Sequence, residues 1–344
     1  MGRVDRTTLS LATFNLLNLN LPGLPIYSDT DGWTQEQYDA KVRWTAAVLA
    51  RLDADVVGLE ELWHADALHA VLGAAGLTDT YDVLATPADG TRIVCAALVR
   101  RGLLVDGSAE WVQHFPPELV LRSSGEDRQT PEIDVRIDGF SRPVLRFEIA
   151  PRDDGPAVLV HVCHLKSKAP APVYREDWYR ADPDTYSRHR TALGSAVSTV
   201  RRTAEATALR MMLTDVMKGT RTPVVVLGDL NDGQHSNTLN IVTEQPRYLV
   251  GISTGGSDVA LYTAQTLQEY RDTRDVYYTH VHEDLRESLD HVLVSEEFYD
   301  HGRRRVWLFD GLAIVNDHLD DADHKATGTS DHGVVVVRFR YRPA

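Results

Sequence analysis

Apolar residues recur at strand spacing in some stretches of this chain and at helix spacing in others. Residues 9–15 alternate well enough to predict a first strand that ends on Asn15, followed by a loop rich in Leu, Pro and Gly to about Gly32. Tyr38, Val42, Thr45, Val48, Leu49 and Leu52 repeat at helical intervals behind a capping-box pair, Thr34 and Gln37, and predict a helix closed at Asp53-Ala54-Asp55. Residues 56–62 read as a buried strand that runs into two adjacent carboxylates, Glu60 and Glu61. A second helix follows to Leu72, closed by Gly73 or Gly76.

Residues 81–84, 93–100 and 103–105 predict strands of a meander, punctuated by Gly90 and Gly102. Residues 111–142 mix Pro116-Pro117 and a polar turn with edge strands, and 144–149 with 157–165 predict a hairpin. The polar, aromatic stretch 166–186 reads as a long surface loop. A helix over 187–218 carries a stripe of Val197, Val200, Ala204, Leu209, Leu213 and Val216, and Gly219 stops it. Residues 223–227 then form a buried strand ended by Gly228, with Asp229, Asn231 and Asp232 directly behind it. A short helix over 236–242, loop over 247–275, and strands over 276–281, 291–295, 306–314 and 334–340 complete the chain. Strands outnumber well-separated helices, which predicts layered α+β architecture with mixed sheets rather than regular βαβ winding. No linker interrupts the 344 residues, so a single domain is expected.

Hydrophobic content of 43% and charged content of 25% are those of a soluble globular protein. The net charge of −14 argues against tight non-specific binding of a nucleic-acid backbone. It leaves nucleic acid open as a substrate, because bound divalent cations add positive charge that a residue count omits. Cys95 and Cys163 lie in apolar runs and read as buried, reduced strand residues; no Cys/His zinc spacing is present. The polar N-terminus, and the lack of an apolar stretch of spanning length, predict a cytoplasmic protein, or a secreted one if a leader was removed. A monomer is expected.

Several apolar runs end in the same kind of residue: Asn15, Glu60-Glu61, His164, Asp229 with Asn231, Asp290 with His291, and Asp331-His332. Carboxylates make an oxygen-rich site for a hard cation such as Mg²⁺ or Mn²⁺. A His beside carboxylates supplies a base or an oriented dyad, and Asn holds a water or a phosphate oxygen. This inventory is that of metal-assisted phosphoester hydrolysis.

Thr13-Phe14-Asn15, Gly58-Leu59-Glu60-Glu61-Leu62, Cys163-His164-Leu165-Lys166-Ser167, Gly228-Asp229-Leu230-Asn231-Asp232, Leu289-Asp290-His291-Val292-Leu293 and Ser330-Asp331-His332 occur in that order over nearly the whole chain. In these motifs the chain resembles the endonuclease/exonuclease/phosphatase superfamily, which includes pancreatic-type deoxyribonucleases, apurinic-site repair nucleases, sphingomyelinases and inositol polyphosphate phosphatases. The resemblance implies a four-layer α/β sandwich of two packed mixed β-sheets flanked by helices. It implies a divalent-metal-dependent phosphodiester hydrolase, first a nuclease cutting DNA or RNA, alternatively a phosphodiesterase or phosphatase of small molecules or lipid headgroups. Glu61 resembles the principal ligand of Mg²⁺ or Mn²⁺, with Asn15 and Asp331 beside it. Asp229 resembles the group that orients or deprotonates water, Asn231 a phosphate-oxygen contact, and His332 with Asp290 the His-Asp dyad. His164 resembles the histidine at the scissile phosphate. The chain departs from the family at Glu60, where Gln is common, and at Leu17, where some relatives are acidic.

Other residues divide between chemistry and structure. Glu60 reads mainly as a supporting or salt-bridge group. His161 stands three residues from His164 and so on the opposite strand face, which makes it structural. Arg92, just before a strand, is a candidate substrate contact; Lys166 and Ser167 fit phosphate contact or an ordinary loop equally. The acidic run 317–324 has the oxygen density for an additional Ca²⁺ ion, but a solvated loop is the preferred reading. Tyr174, Trp178 and Tyr179 with nearby arginines fit either base stacking or packing on the long helix, the latter preferred. Asp232 is expected to cap the 236–242 helix.

Overall fold

The computed structural model describes residues 5–27, 30–124, 126, 129–244, 258–272, 278–283, 285–321 and 323–344. Along the chain the strands are β1 Thr8–Leu19, β2 Val56–His64, β3 Tyr81–Leu84, β4 Asp89–Arg100, β5 Glu110–His114, β6 Leu121–Ser123, β7 Ile133–Val135 and β8 Gly139–Ile149. They continue as β9 Val158–His164, β10 Val224–Asp229, β11 Tyr262–Thr263, β12 His280–His282, β13 Leu285–Glu287, β14 Asp290–Val294, β15 Trp307–Val315 and β16 Val334–Tyr341. Two six-stranded sheets run in the orders β15-β16-β1-β2-β4-β3 and β11-β14-β10-β9-β8-β5. β1 is parallel to β2 and β9 to β10 while the other neighbours are antiparallel, so both sheets are mixed.

Alternation along each strand builds the layers. Leu9, Leu11, Val56, Ala97 and Val337 of the first sheet share a core with Phe147, Val160, Val162, Leu227 and Val292 of the second. The intervening residues, such as Phe14, Val57, Leu59 and Val336, face outward onto the helices Gln35–Leu52 and Ala65–Ala75. On the far side Cys163, Val224, Val226 and Leu293 pack against the helices Arg190–Met217 and Asn237–Thr243. The result is the four-layer α/β sandwich, helix-sheet-sheet-helix. Its first helix begins with the expected capping box, in which the Thr34 side chain accepts from Gln37 N while Gln37 returns to Thr34 N.

Several local expectations are corrected. Residues 103–105 form no strand; Leu104 makes only an isolated bridge to Ile149. The 166–186 stretch winds into short turns at Val173–Arg175, Asp177–Ala181 and Pro183–Tyr186. Ala204, Leu209 and Leu213 of the long helix are buried as expected, but Val197 and Val200 are exposed, because the first part of the helix turns Gly194, Ser198, Arg202 and Glu205 inward instead. β1 passes Asn15 and ends at Leu19, with Leu17 and Asn18 at positive φ. Much of the expected 247–275 loop, and residues 276–277 of the expected 276–281 strand, lie outside the described residues. Cys95 and Cys163 are buried and unpaired in a disulfide, and no helix is long and apolar enough to cross a membrane among the described residues.

Gly228 is where β10 requires a glycine. Its φ is +148°, and an added Cβ would lie 1.9 Å from Cys163 O in the paired strand. Gly228→Ala is expected to cost about 3 kcal/mol or more in urea unfolding, whereas Gly73→Ala, in a helix with open space around it, should be neutral or stabilising. Equal midpoints for the two variants would contradict this account.

His161, fully buried in β9, faces away from His164, toward the helical side with Leu159 and Cys163. Burial holds its imidazole down at about 3, against an ordinary 6.5. A depressed histidine contributes stability that is complete above its unfolded value and drains away as pH falls toward the folded one. His161→Leu should therefore flatten the fall of the melting temperature below pH 6.5; an unchanged slope would refute it.

Candidate functional site

The alternation that fills the inter-sheet core also decides which polar residues stand at its open end. In β10, Val225 and Leu227 enter that core, and Asp229 is the next residue in phase. The same parity carries Val160 and Val162 of β9 to His164, Val294 and Val292 of β14 to Asp290, and Leu9 and Leu11 of β1 to Thr13 and Asn15. Strand pairing then sets His164 and Asp290 on either side of Asp229, and Asn15 beside Glu60.

Glu61 is out of phase with Glu60 and reaches the site through a bulge. Leu59 and Leu62 both face the helices, the register to β4 shifts between them, and Glu61 takes φ +59°. Its Oε2 accepts from Asn18 N at 3.0 Å, and its Oε1 lies 3.9 Å from His164 Nε2. The Asn18 turn is fixed in turn by two indoles: Trp33 Nε1 donates to Asn18 O and Trp63 Nε1 to Asn18 Oδ1.

Asp229 is the hub. Its Oδ2 accepts from Asn15 Nδ2 at 3.1 Å and lies 3.5 Å from His164 Nε2 and 3.8 Å from His332 Nε2. Its Oδ1 accepts from Asn231 N at 2.8 Å, and Asn231 Nδ2 donates to Leu165 O. Asn231 sits at φ +54°, a strained backbone of the kind that accumulates at functional sites. His332 Nδ1 is 2.9 Å from Asp290 Oδ2. The loop before it is tied to β1, since Ser330 Oγ donates to Asn15 O and His332 N to Ser330 Oγ.

Burial sets the charges. It raises Asp229 to about 7 and Glu61 above its ordinary range, with Asp331 adding to the latter. Burial and the Asp290 charge lift Glu60 well above the usual carboxylate range, and its Oε1 accepts from Thr13 Oγ1. Burial would depress His332, but the Asp290 and Asp229 charges overcome it and hold the imidazole well above its ordinary value. Burial and the Arg142 charge hold His164 well below its own.

These residues fit a divalent cation. Glu60 Oε2, Asp290 Oδ1 and Asp331 Oδ1 are buried with no hydrogen-bond partner, and buried carboxylates this close repel one another until a positive charge relieves them. Asn15 is more constrained than expected of a ligand, because its Nδ2 is engaged by Asp229 and its Oδ1 by Leu17 N. Among the described residues, the His and carboxylate groups tight enough to share an ion are His280-Asp331-His332 and Asp229-Asp290-His332. Glu61 is in neither and meets the cluster through His164, which suits a hard ion that keeps several of its waters.

Arg92 is not brought here: it is exposed and its guanidinium donates to Gln113. The arginine that does face the site is Arg142 of β8. Its charge bears on Glu61, His164 and the Tyr27 hydroxyl, and it donates to Leu165 O at 3.4 Å. Lys166 spends its Nζ on Ser167 Oγ. Asp232 does not cap the following helix; Ser236 does, while Asp232 Oδ2 accepts from Thr238 Oγ1 and Arg202 Nε. In the 317–324 run, Asp323 caps a short helix and His318 is buried against Trp44, so these residues serve local structure. Tyr179 is buried and Tyr174 stacks on Arg190 of the long helix, whereas Trp178 is half exposed.

Two buried charges behind the site were not read from the sequence. Lys41, fully buried on the first helix beside Trp33 and Trp44, donates to Thr329 O at 2.9 Å, and burial lowers it to about 7. Glu205 accepts from Ser141 N and Oγ through one oxygen and from Lys166 N through the other, which fixes the segment behind His164. Glu205→Ala strands those donors and should cost about 2–3 kcal/mol in urea unfolding; a loss under about 1 kcal/mol would show that the carboxylate is dispensable.

Residues 12–332 match the model of the Endonuclease/Exonuclease/phosphatase family. No protein of curated function matches the chain in sequence. In fold the chain is similar to the human Nocturnin catalytic domain with bound sulfate, with TM-score 0.55, 13% identity, and 98% of this chain and 96% of that one covered. It is similar to an endonuclease/exonuclease/phosphatase family protein from Bacteroides thetaiotaomicron, with TM-score 0.55, 15% identity and 98% of both chains covered. It is also similar to D. rerio TDP2 complexed with a single-strand DNA product, with TM-score 0.54, 14% identity, and 97% and 100% covered. With a match that spans all six motifs and a sandwich whose inter-sheet rows end in their polar residues, the chain belongs to the Endonuclease/Exonuclease/phosphatase family, a family of phosphoester hydrolases.

Proposed function

We propose that this protein is a divalent-cation-dependent phosphodiester hydrolase that cuts a nucleic-acid backbone by in-line attack of water. The observation that carries the reading is the convergence on Asp229 of Asn15, His164, Asn231 and the Asp290–His332 pair at one end of the inter-sheet core. Glu61 and Asp331, with the Asn15 amide oxygen, would hold Mg²⁺ or Mn²⁺. Bound there, the cation would polarise a phosphoryl oxygen and offset the negative charge of substrate and site.

The protein's own groups divide the remaining work. Asp229, raised to about 7 by burial, accepts a proton from water or holds it in line, and Asn15 and Asn231 N fix both of its oxygens. His332, kept cationic by Asp290 and Asp229, presents Nε2 toward a phosphoryl oxygen whose charge grows in the transition state. The Arg142 guanidinium supplies the planar cation that suits phosphate. The nucleic-acid reading draws on the similar fold of D. rerio TDP2 with its DNA product. One observation favours a second reading, a small-molecule or lipid phosphodiester or phosphomonoester substrate: the chain carries a net charge of −14.

Hydrolysis of plasmid DNA, RNA, bis-p-nitrophenyl phosphate, inositol phosphates and sphingomyelin, each with Mg²⁺, Mn²⁺, Ca²⁺ or EDTA, separates the two readings. Cleavage of nucleic acid with Mg²⁺ or Mn²⁺, abolished by EDTA, is expected; full activity in EDTA would refute metal dependence. Asp229→Ala and His332→Ala should each lower kcat about 10²- to 10⁴-fold, and near-wild-type turnover in either would sink the proposal. Arg142→Ala should lower kcat/KM roughly 10- to 100-fold, while Arg92→Ala should leave it unchanged.

A further inference from the structure

Asp331 and His332 also belong to a second metal-competent group, whose third member, His280, lies outside the family motifs. His280, Asp331 and His332 each bring a ligand atom within 4.8 Å of the others. The arrangement is built by the backbone: β12 bridges to the catalytic loop at His280–His332, and Gly333 N donates to Thr279 O at 2.6 Å. The two imidazoles thereby stand with ring centroids 5.0 Å apart. Asp331 Oδ1 is buried with no hydrogen-bond partner, and His332 has committed Nδ1 to Asp290, which leaves Nε2 as its ligating atom once an incoming ion displaces the Nε2 proton to solvent.

Two imidazoles and one carboxylate are a poor donor set for Mg²⁺, which prefers oxygen and keeps its waters. They are the set that catalytic zinc sites use, and borderline first-row ions bind imidazole well. We propose that His280, Asp331 and His332 form a second cation site, selective for an imidazole-accepting ion such as Zn²⁺, whose occupancy takes His332 Nε2 away from substrate and inhibits hydrolysis. The inhibitory half rests on the function proposed above; the binding half stands without it.

Calorimetric titration of Zn²⁺ into the full-length chain at saturating Mg²⁺ tests the site. The wild type should retain a Zn²⁺ ion that Mg²⁺ does not displace, and His280→Asn should bind it roughly 10- to 100-fold more weakly. Zn²⁺ inhibition of phosphodiester hydrolysis should shift to higher Zn²⁺ by the same factor, with Mg²⁺-supported activity persisting. His280→Cys, which offers a thiolate at the same place, should recover Zn²⁺ binding and so distinguish a lost ligand from a misfolded variant. Equal Zn²⁺ affinity in wild type and His280→Asn overturns the site, whatever the enzyme hydrolyses. A wild type that binds Zn²⁺ through His280 and hydrolyses none of the panel overturns the functional reading, and the inhibitory half with it.

Discussion

The constraint on which this structure depends is the two-residue period of its central strands. The inter-sheet core takes every second residue of β1, β9, β10 and β14, and each series continues into polar residues, Thr13 and Asn15, His164, Asp229 and Asp290 respectively. A slip of one residue in any of these strands would turn its polar residue onto a helix and an apolar one into the site. Asn15, His164, Asp229 and Asp290 are thus as accurately placed as the packing of Val162, Leu227 and Val292 beneath them, and no loop has to position them. Gly228 allows this closeness, since β10 passes Cys163 O at a distance that no side chain could tolerate.

Where strict alternation would fail to deliver a needed group, the backbone breaks it at an energetic cost. Glu61 lies on the wrong parity and arrives through a bulge at φ +59°, and Asn231 takes φ +54° past the end of β10. Each strained residue is held by a hydrogen bond that its neighbours supply: Asn18 N to Glu61 Oε2, and Asn231 N to Asp229 Oδ1. Two bulges therefore cooperate, because the Asn18 turn that clamps Glu61 is itself an irregularity of β1, stapled by Trp33 and Trp63.

The motif residues, the two sheets' central strands and the capped first helix were legible because local patterns carry them: apolar runs, a Thr34/Gln37 box, polar strand ends. Less legible was anything decided by tertiary placement. Lys41 lies on an otherwise ordinary apolar helix face, and only the fold brings Trp33, Trp44 and Thr329 O around its amine. Glu205 and Arg202 turn inward on the long helix while the apolar residues Val197 and Val200 face outward, the reverse of what polarity alone predicts. Arg142 sits within β8 with nothing in its neighbours to mark it, whereas Arg92 stood conspicuously before a strand and points elsewhere. Sequence spacing reveals which residues share a face, but not which distant faces meet.

The same packing explains how a chain of net charge −14 can present a site for an anionic substrate. The negative charge at the site is partly suppressed before any ligand arrives: burial raises Glu60, Glu61 and Asp229, so protonation competes with ionisation there. Positive charge is placed close by, in the His332 imidazolium held by Asp290 and in the Arg142 guanidinium. Glu60 has no such counter-charge in contact: Thr13 donates to one oxygen and nothing meets the other, so burial and the Asp290 charge push its carboxyl toward the protonated form until a cation relieves it. That shift lessens the negative charge that Glu60 adds beside Glu61.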